Sequence, residues 1–499
     1  MQPKSLFAAI DLGSNSFRLE IGQLEAGHLR RVEYIKETVR QGNGLDAERN
    51  LSEAAMQRGW DCLARFAERI AGFKPSQVRA VATQTLREAR NRELFLTKAK
   101  AILGFPIEVI TGREEARLIY LGVSHLLPHS PERRLVVDIG GRSTELILGQ
   151  REKAETLESY RVGSVAWSMK YFPDGQWTNS AFKAAEIAAK AVLDEAQIIY
   201  PRNSWDTCYG SSGTVGAVAD VLSLAGWPDG LITRDGLDWL KEKLLKAQKP
   251  ENLRLEGVKD DRRPVIGGGL AILRAVFDLL QINEMVAAQG ALRHGALYDL
   301  LDRESPQDDV RSQMVDWLAQ RFGADAQQAE RVARSSQLFL QSMLEKKVAQ
   351  EDVARHLRKV HWAAQLHEVG MRIAHSDYHK HGAYILDNTD LPGFTIDELH
   401  RLSQLVLGHR GKLRKLETEL LDPLFVQQLM SLRLSVILCH ARREPDTASV
   451  EITCDTVRQS MRLKLSAEWA EQWPQSAHLL REECVAWLKT GWELKVEFV

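Results

Sequence analysis

Twice in its first 145 residues the chain runs a short apolar segment into an aspartate and then into a loop of glycine and small hydroxyl residues. The first case is Leu6 to Ile10, followed by Asp11-Leu12-Gly13-Ser14-Asn15-Ser16. The second is Arg134 to Val137, followed by Asp138-Ile139-Gly140-Gly141-Arg142-Ser143-Thr144. A short apolar run stopped by a glycine turn predicts a buried strand and a tight reversal. Alternating segments follow each loop, Phe17 to Gly22 and Thr144 to Gly149, and third strands are predicted at His28 to Lys36 and Ala154 to Arg161. Helical spacing then predicts helices over Ser52 to Ala71, Glu93 to Leu103 and Glu114 to Leu121, with strands at Val78 to Ala82 and Ile107 to Ile110. In the second stretch a helix is predicted over Ser180 to Ile199 and a strand at Cys208-Tyr209, before Gly210 to Thr214. Two meanders, each continued by helices and strands, predict a duplicated α/β core.

Beyond residue 304 the periodicity is helical, in Arg311 to Phe322, Ala326 to Gln341, Val353 to Leu366, Thr395 to Leu407 and Leu424 to Cys439. Closing strands are predicted at Val450 to Thr453, Met461 to Leu465 and Leu494 to Phe498. The expected domains are therefore residues 1–131, 132–303, a helical 304–445 and a small α+β tail at 446–499, with Arg303-Glu304-Ser305-Pro306 as the main boundary. A chain of 499 residues exceeds one compact core, so several domains are expected. A formal net charge of −1 does not call for a nucleic-acid or membrane partner. Five scattered cysteines without CxxC spacing argue against a disulfide framework and for a reducing compartment. With no signal-like start and no long apolar window, a cytoplasmic location is expected.

A turn that must approach phosphate oxygens needs outward N–H groups and little side-chain bulk. Gly13, Ser14, Asn15 and Ser16 meet that need, as do Gly140, Gly141, Ser143 and Thr144. Asp11 and Asp138 would repel phosphate, so their expected role is to hold Mg²⁺. Gly210–Gly213 and Gly267–Gly269 are expected to floor a cleft. In Thr111-Gly112-Arg113-Glu114-Glu115-Ala116-Arg117 two adjacent carboxylates open a helix, and adjacent residues cannot share one helix face. At most one of them faces a cleft.

Read in order, Asp11–Ser16, Thr83-Gln84-Thr85-Leu86-Arg87, Gly112 to Ile119, Asp138–Glu145 and Gly210–Thr214 resemble the motifs of the exopolyphosphatase and guanosine pentaphosphate phosphohydrolase family. That family sits in the wider group of acetate and sugar kinases, actin and heat-shock chaperone ATPases. The resemblance extends to His367-Glu368-Val369-Gly370, Ala383 to Leu386 and Leu391-Pro392-Gly393-Phe394. It implies two actin-like (ribonuclease H-like) α/β halves around an active site, then a mostly helical domain like a degenerate HD-type phosphohydrolase domain. It implies hydrolysis of a terminal phosphoanhydride with Mg²⁺, Glu115 as the base and Arg87 on the terminal phosphate. Asp138 and Glu145, with Asp11, are the metal candidates, and Ser211 and Gly213 join the phosphate-binding set. The family commonly has a third glycine where this chain has Arg142. Three readings follow: backbone strain on the order of a kcal/mol, an added bidentate phosphate contact, or lost activity.

In the helical domain the pair His367-Glu368 is expected to be structural, with no second metal centre. Cations that could track a polyanion are Arg262, Arg263, His375, His379, Lys380, His381, Arg410, Lys412, Arg414 and Lys415, beside His409. The first expectation is thus a processive exopolyphosphatase acting on inorganic polyphosphate, as a homodimer. The alternatives are guanosine pentaphosphate 5′-phosphohydrolase, a phosphotransferase, and a polyphosphate-binding regulator without catalysis.

Overall fold

Strand β1 (Leu6–Leu12) is apolar on both faces up to Asp11 and is buried over Ala8–Leu12, as a strand inside a covered sheet must be. It turns into β2 (Phe17–Glu25) and β3 (His28–Glu37), and then runs parallel to β4 (Val78–Ala82), which pairs with β5 (Ile107–Val109). The sheet order is β3-β2-β1-β4-β5. The computed structural model describes residues 6–25, 28–302, 310–344, 350–445 and 450–499. The expected boundary at Arg303–Pro306 lies outside the described residues.

The same wiring repeats. Strands β6 (Arg133–Ile139), β7 (Thr144–Gln150) and β8 (Lys153–Tyr160) form the second meander, and β9 (Thr207–Ser211) lies parallel to β6. An antiparallel edge strand, β10 (Leu231–Thr233), is added beyond β11 (Glu284–Ala287), so the order is β10-β11-β9-β6-β7-β8. Register confirms the duplication residue by residue. Asp11 faces Arg18 and Leu12 faces Phe17 in the first hairpin, while Asp138 faces Glu145 and Ile139 faces Thr144 in the second.

Helices cover the sheets. Helix Glu53–Arg69 starts where predicted, with the Ser52 hydroxyl accepting from the Ala55 N–H at 3.4 Å. Helix Gly112–Ser124 leads from the first sheet towards the second and crosses helix Leu292–Asp302. Contact is so close that a Cβ on Gly295 would lie 1.8 Å from the Leu118 carbonyl oxygen. An apolar cluster including Val81, Leu118, Val136, Ile147 and Tyr209 joins the two sheets through these helices. The segment Asp390–Ile396 also belongs to this first compact unit, where Thr395 bridges Ile110.

The second compact unit comprises Val310–Thr389 and Asp397–Val499. Its helices include Val310–Arg321, Ala326–Met343, Gln350–Leu366, Tyr378–Asp387 and Pro423–Leu438. A small sheet closes the chain, β12 (Glu451–Asp455), β13 (Ser460–Leu465) and β14 (Glu493–Phe498). Two helices whose bounds the sequence did not predict, Ala467–Gln472 and Pro474–Trp487, lie between β13 and β14. Among the described residues no helix is long and apolar enough to cross a membrane.

Candidate active site

The β1–β2 and β6–β7 turns lie against each other. A Cβ on Gly141 would lie 3.0 Å from Ser14 Cβ, so the closeness of the loops leaves little room for a side chain there. Their carbonyls are tied back into the framework: Ser14 and Asn15 accept from the Gly42 and Arg40 N–H groups at 2.8 and 2.9 Å, and Gly141 accepts from Val165 at 2.8 Å. Among the described residues the N–H groups of Ser14, Asn15, Gly141 and Arg142 find no acceptor. Carbonyls turned away and N–H groups left over are what an anion-binding turn needs. Ser14, Asn15, Ser16 and Ser143 are buried beside it, and Thr85 donates to the Ser14 hydroxyl at 2.8 Å. Thr144 and Ser211 lie deeper than expected. Their hydroxyls donate to the Val162 and Gly290 carbonyls at 2.6 and 3.0 Å, so they brace the loops.

The adjacent glutamates part company, as the helix geometry requires. Glu114 is fully buried in an ion cluster with Arg79, Arg117 and Asp299, and it accepts from the Gly393 N–H at 2.6 Å. Glu115 turns towards Arg87, whose Nη1 stands 2.7 Å from its Oε2. That ion pair is its one charged partner, and among the described residues no other donor reaches the buried Oε2. Burial raises the proton affinity of Glu115, Arg87 opposes the rise, and Asp11 adds to it. Arg87, at the end of helix Gln84–Glu88, is held from behind by the Gln84 side-chain oxygen and the Ile110 carbonyl.

The two leading aspartates differ in their surroundings. Arg18 Nη1 bonds Asp11 Oδ2 at 2.9 Å, whereas the residue facing Asp138 is Glu145. Burial lifts Asp138 to about 7, opposed by Ser211 and reinforced by Glu115 and Asp11. Glu145 is likewise raised well above the usual carboxylate range, first by burial and then by Glu115 and Asp138. Glu145 Oε1 accepts from Ser159 at 2.7 Å, and Oε2 is buried without a hydrogen-bond partner. Two neighbouring carboxylates with an unused oxygen fit a Mg²⁺ ion, which commonly takes one or two protein carboxylates and completes its shell with water and phosphate. Among the described residues no three His, Cys, Asp or Glu side chains are placed to enclose a metal, so phosphate oxygens would have to finish the shell. Asp11, already paired with Arg18, fits less well.

Other expected residues lie elsewhere than the sequence suggested. Arg142 has no left-handed φ, so the anticipated strain is absent. Its guanidinium bonds Glu88 and the Gly42 carbonyl, so in this structure it does not point into a phosphate pocket. Gly267–Gly269 are not cleft floor. They lie inside helix Ile266–Leu279, where a Cβ on Gly268 would sit 2.5 Å from the Ser168 backbone nitrogen of the neighbouring helix. Gly213 does border the site: a Cβ there would lie 2.0 Å from Arg262 Nη2, so the guanidinium rests on the glycine. Arg262 is 8% exposed, with Asp261 at 3.8 Å as its ion-pair partner, and Arg18 lies close enough to depress its charge after burial does. Next to it Ser212 holds a φ of 89°, a conformation costing about 1–3 kcal/mol that clusters at functional sites. Sequence reading missed Arg18, Gln84, Glu88 and Ser212. Arg18 was findable, since it stands seven residues after Asp11 as Glu145 stands seven after Asp138.

Of the remaining expected cations, Arg263 is half-buried beside Asp260 at 3.3 Å, in the first unit. In the second unit His375, Lys380, Arg410, Lys412 and Arg414 are exposed, and Arg410 stacks over Tyr378 at 4.6 Å. His379 is a correction: it turns inward against His409 and is buried, because its helix face packs into the core. His367 is buried, bonded through Nδ1 to the Ala364 carbonyl at 2.6 Å, and kept neutral by burial.

Comparison with known proteins agrees with this geometry. Residues 21–304 match the Ppx/GppA phosphatase family and residues 310–484 match its domain III. The chain is 39% identical over 494 residues to a guanosine-5′-triphosphate,3′-diphosphate pyrophosphatase of Vibrio atlanticus, covering 99% of this chain and 98% of that one. It is 40% identical, with the same coverage, to a protein of that name from Vibrio vulnificus. Among solved structures, the Aquifex aeolicus PPX-GPPA enzyme aligns with 60% of this chain and all of its own, at 28% identity and a TM-score of 0.50. An exopolyphosphatase of Cytophaga hutchinsonii, 22% identical, shares the fold over 60% of this chain and 98% of its own, at a TM-score of 0.54. By sequence along nearly its whole length and by the architecture of its first 300 residues, the chain is a hydrolase that belongs to the Ppx/GppA phosphatase family.

Proposed function

We propose that the chain hydrolyses the terminal phosphoanhydride of the 5′-triphosphate of guanosine pentaphosphate, releasing orthophosphate. The observation that carries this reading is Glu115: a buried carboxylate with an unsatisfied oxygen, paired to Arg87 beside two anion-binding turns. In the reaction the turn N–H groups hold the phosphate chain, and Arg87 meets the charge that builds on the terminal phosphoryl group. Glu115 accepts a hydrogen bond from water at Oε2 and orients it for in-line attack. Burial makes it a better base than a surface glutamate, and Arg87 opposes that rise and so favours the ionised form. Asp138 and Glu145 would hold Mg²⁺, which offsets the negative charge of the phosphates when bound.

The choice of guanosine pentaphosphate over polyphosphate reverses the order expected from sequence. It rests on the names of relatives about 40% identical over the full length, and on Arg18 and Arg262. These guanidiniums come from different halves and repel each other, an arrangement suited to the added negative charge of a 3′-diphosphate branch. A linear polyphosphate has no such branch. The exposed Lys380, Arg410, Lys412 and Arg414 favour polyphosphate as a second substrate. Phosphate release from guanosine pentaphosphate and from long polyphosphate, each with Mg²⁺, tests the reading for the native protein and for Glu115→Gln. Faster turnover of polyphosphate by the native protein, or an active Glu115→Gln, would overturn it.

A further inference from the structure

Arg142 occupies the second phosphate loop, yet its contacts lead into the first half of the molecule. Nε and Nη2 donate to Glu88 Oε2 at 3.1 and 2.8 Å, and Nη1 donates to the Gly42 carbonyl at 3.2 Å. The other oxygen of Glu88 accepts from Gln84 Nε2 at 2.7 Å. That bond fixes the amide so that Gln84 Oε1 faces Arg87, where it accepts from Nε and Nη2 at 2.9 and 2.7 Å. Arg87 then reaches Glu115 Oε2 at 2.7 Å. Five side chains, Arg142, Glu88, Gln84, Arg87 and Glu115, thus form one unbroken polar chain from the tip of the second loop to the base. Each is at least three-quarters buried, so water competes weakly for its bonds.

We infer that Arg142 is a positioning residue: acting through Glu88 and Gln84, it holds Arg87 in register with Glu115 and makes that register depend on the second loop being docked. The inference rests on the roles given above to Arg87 and Glu115. Its physical basis is directional. An amide oriented from one side presents oxygen to the guanidinium; released, it is free to flip and present its NH₂ group, which repels a cation. Without Arg142 the Glu88 carboxylate, next in sequence to Arg87, also becomes an unopposed rival to Glu115 for that guanidinium. Arginine suits this place because its fork grips one carboxylate oxygen with two N–H groups while a third reaches a carbonyl. A glycine at this position could do none of this.

The test is a kinetic series on full-length protein with guanosine pentaphosphate and, in parallel, short polyphosphate. Displacing a catalytic group by about an ångström costs up to roughly 100-fold, and a partial misalignment is expected here. Arg142→Ala should therefore lower kcat about tenfold with KM changed less than twofold. Glu88→Gln keeps the shape but has one acceptor oxygen, so it satisfies Arg142 or Gln84 and not both; it should match Arg142→Ala and serves where the alanine variant folds poorly. Arg142→Ala combined with Gln84→Ala should be no slower than the worse single variant, because both cut the same chain. Arg142→Lys, with the charge but not the fork, should recover part of the rate. Multiplying losses in the double variant, an unchanged kcat, or a raised KM at full kcat would overturn the inference, the last because it would mean Arg142 grips substrate. Glu115→Gln in the same assay separates the two ideas: if it is inactive while Arg142→Ala is normal, the positioning role fails and the base assignment stands.

Discussion

Glu114 and Glu115 are chemically identical neighbours, and the structure predicts opposite consequences for replacing them with glutamine. Glu114 accepts from Arg117 Nε at 2.7 Å and Nη2 at 2.9 Å, from Arg79 Nη2 at 3.2 Å and from the Gly393 N–H at 2.6 Å. Glutamine has one acceptor oxygen and no charge, so Glu114→Gln leaves two buried guanidiniums sharing Asp299 and Glu108. Breaking a buried ion pair from one side costs about 3–5 kcal/mol. For a unit of about 300 residues that is a fall of roughly 5–8 °C in Tm. Glu115 is in the reverse situation. Its folded-state proton affinity is raised, so at neutral pH its ionised form opposes folding, and Gln removes that penalty. Glu115→Gln should keep or raise Tm while phosphate release falls by about 10²–10⁴-fold. Calorimetry and a phosphate-release assay on both variants check the pair. A Glu115→Gln protein that melts several degrees early, or a Glu114→Gln protein with native Tm, would refute the division of roles.

Asp138 holds its proton more tightly folded, at about 7, than the 3.8 of the unfolded chain. Its contribution to stability is therefore complete below pH 4 and lost by pH 7, up to about 4 kcal/mol; in EDTA, Asp138→Asn should show a smaller drop in Tm from pH 5 to 8, and an equal drop would count against it. Arg262→Ala should raise KM for guanosine pentaphosphate at least tenfold while polyphosphate turnover changes little, read from parallel initial rates; equal losses on both substrates would remove Arg262 from recognition. In the second unit Arg433 pairs with buried Glu483, which also accepts from Trp487 Nε1 at 2.6 Å. Arg433→Ala should cost about 3–5 kcal/mol by denaturant unfolding, and a loss below about 1 kcal/mol, the scale of an exposed pair, would show the pair to be effectively solvated.

The hairpins were legible because each combines three local signals: an apolar run, an aspartate and a glycine turn. Ser52 as a helix start was legible from an equally local signal, a capping serine followed by a glutamate. What failed depended on distant packing. The alanine-rich stretch from Ser180 to Ile199 reads as one helix, but the chain breaks after Val192 so that Leu193, Ala196 and Tyr200 all enter one core. The triple glycine reads as a loop, yet it is helical, and at Gly268 the backbone of the neighbouring helix approaches too closely for a Cβ. Helix Pro474–Trp487 was missed because the buried Glu483 interrupts its apolar face, its charge being matched only by Arg433 fifty residues away. His379 was grouped with exposed cations on sequence proximity alone, although the helix that carries it turns that side inward.

At the site itself, the deviations from symmetry matter more than the symmetry. Gly13 and Gly140, or Ser16 and Ser143, occupy equivalent positions and serve equivalent turns. Two other equivalences are broken. Where the first half faces its aspartate with Arg18, the second faces its own with Glu145, so one hairpin is nearly charge-neutral and the other carries two buried carboxylates. The neutral hairpin can meet phosphate unaided; the acidic one needs protons or a cation first. Where the first loop has Asn15, the second has Arg142, which reaches across to Glu88 and, through Gln84, on to Arg87 and Glu115. A symmetric grip would bind a phosphate chain in either direction. On the roles proposed above, these two asymmetries would set cation-assisted binding at one turn and an aligned Arg87–Glu115 pair near the other, giving the cleft a direction and favouring attack at one end of the phosphate chain.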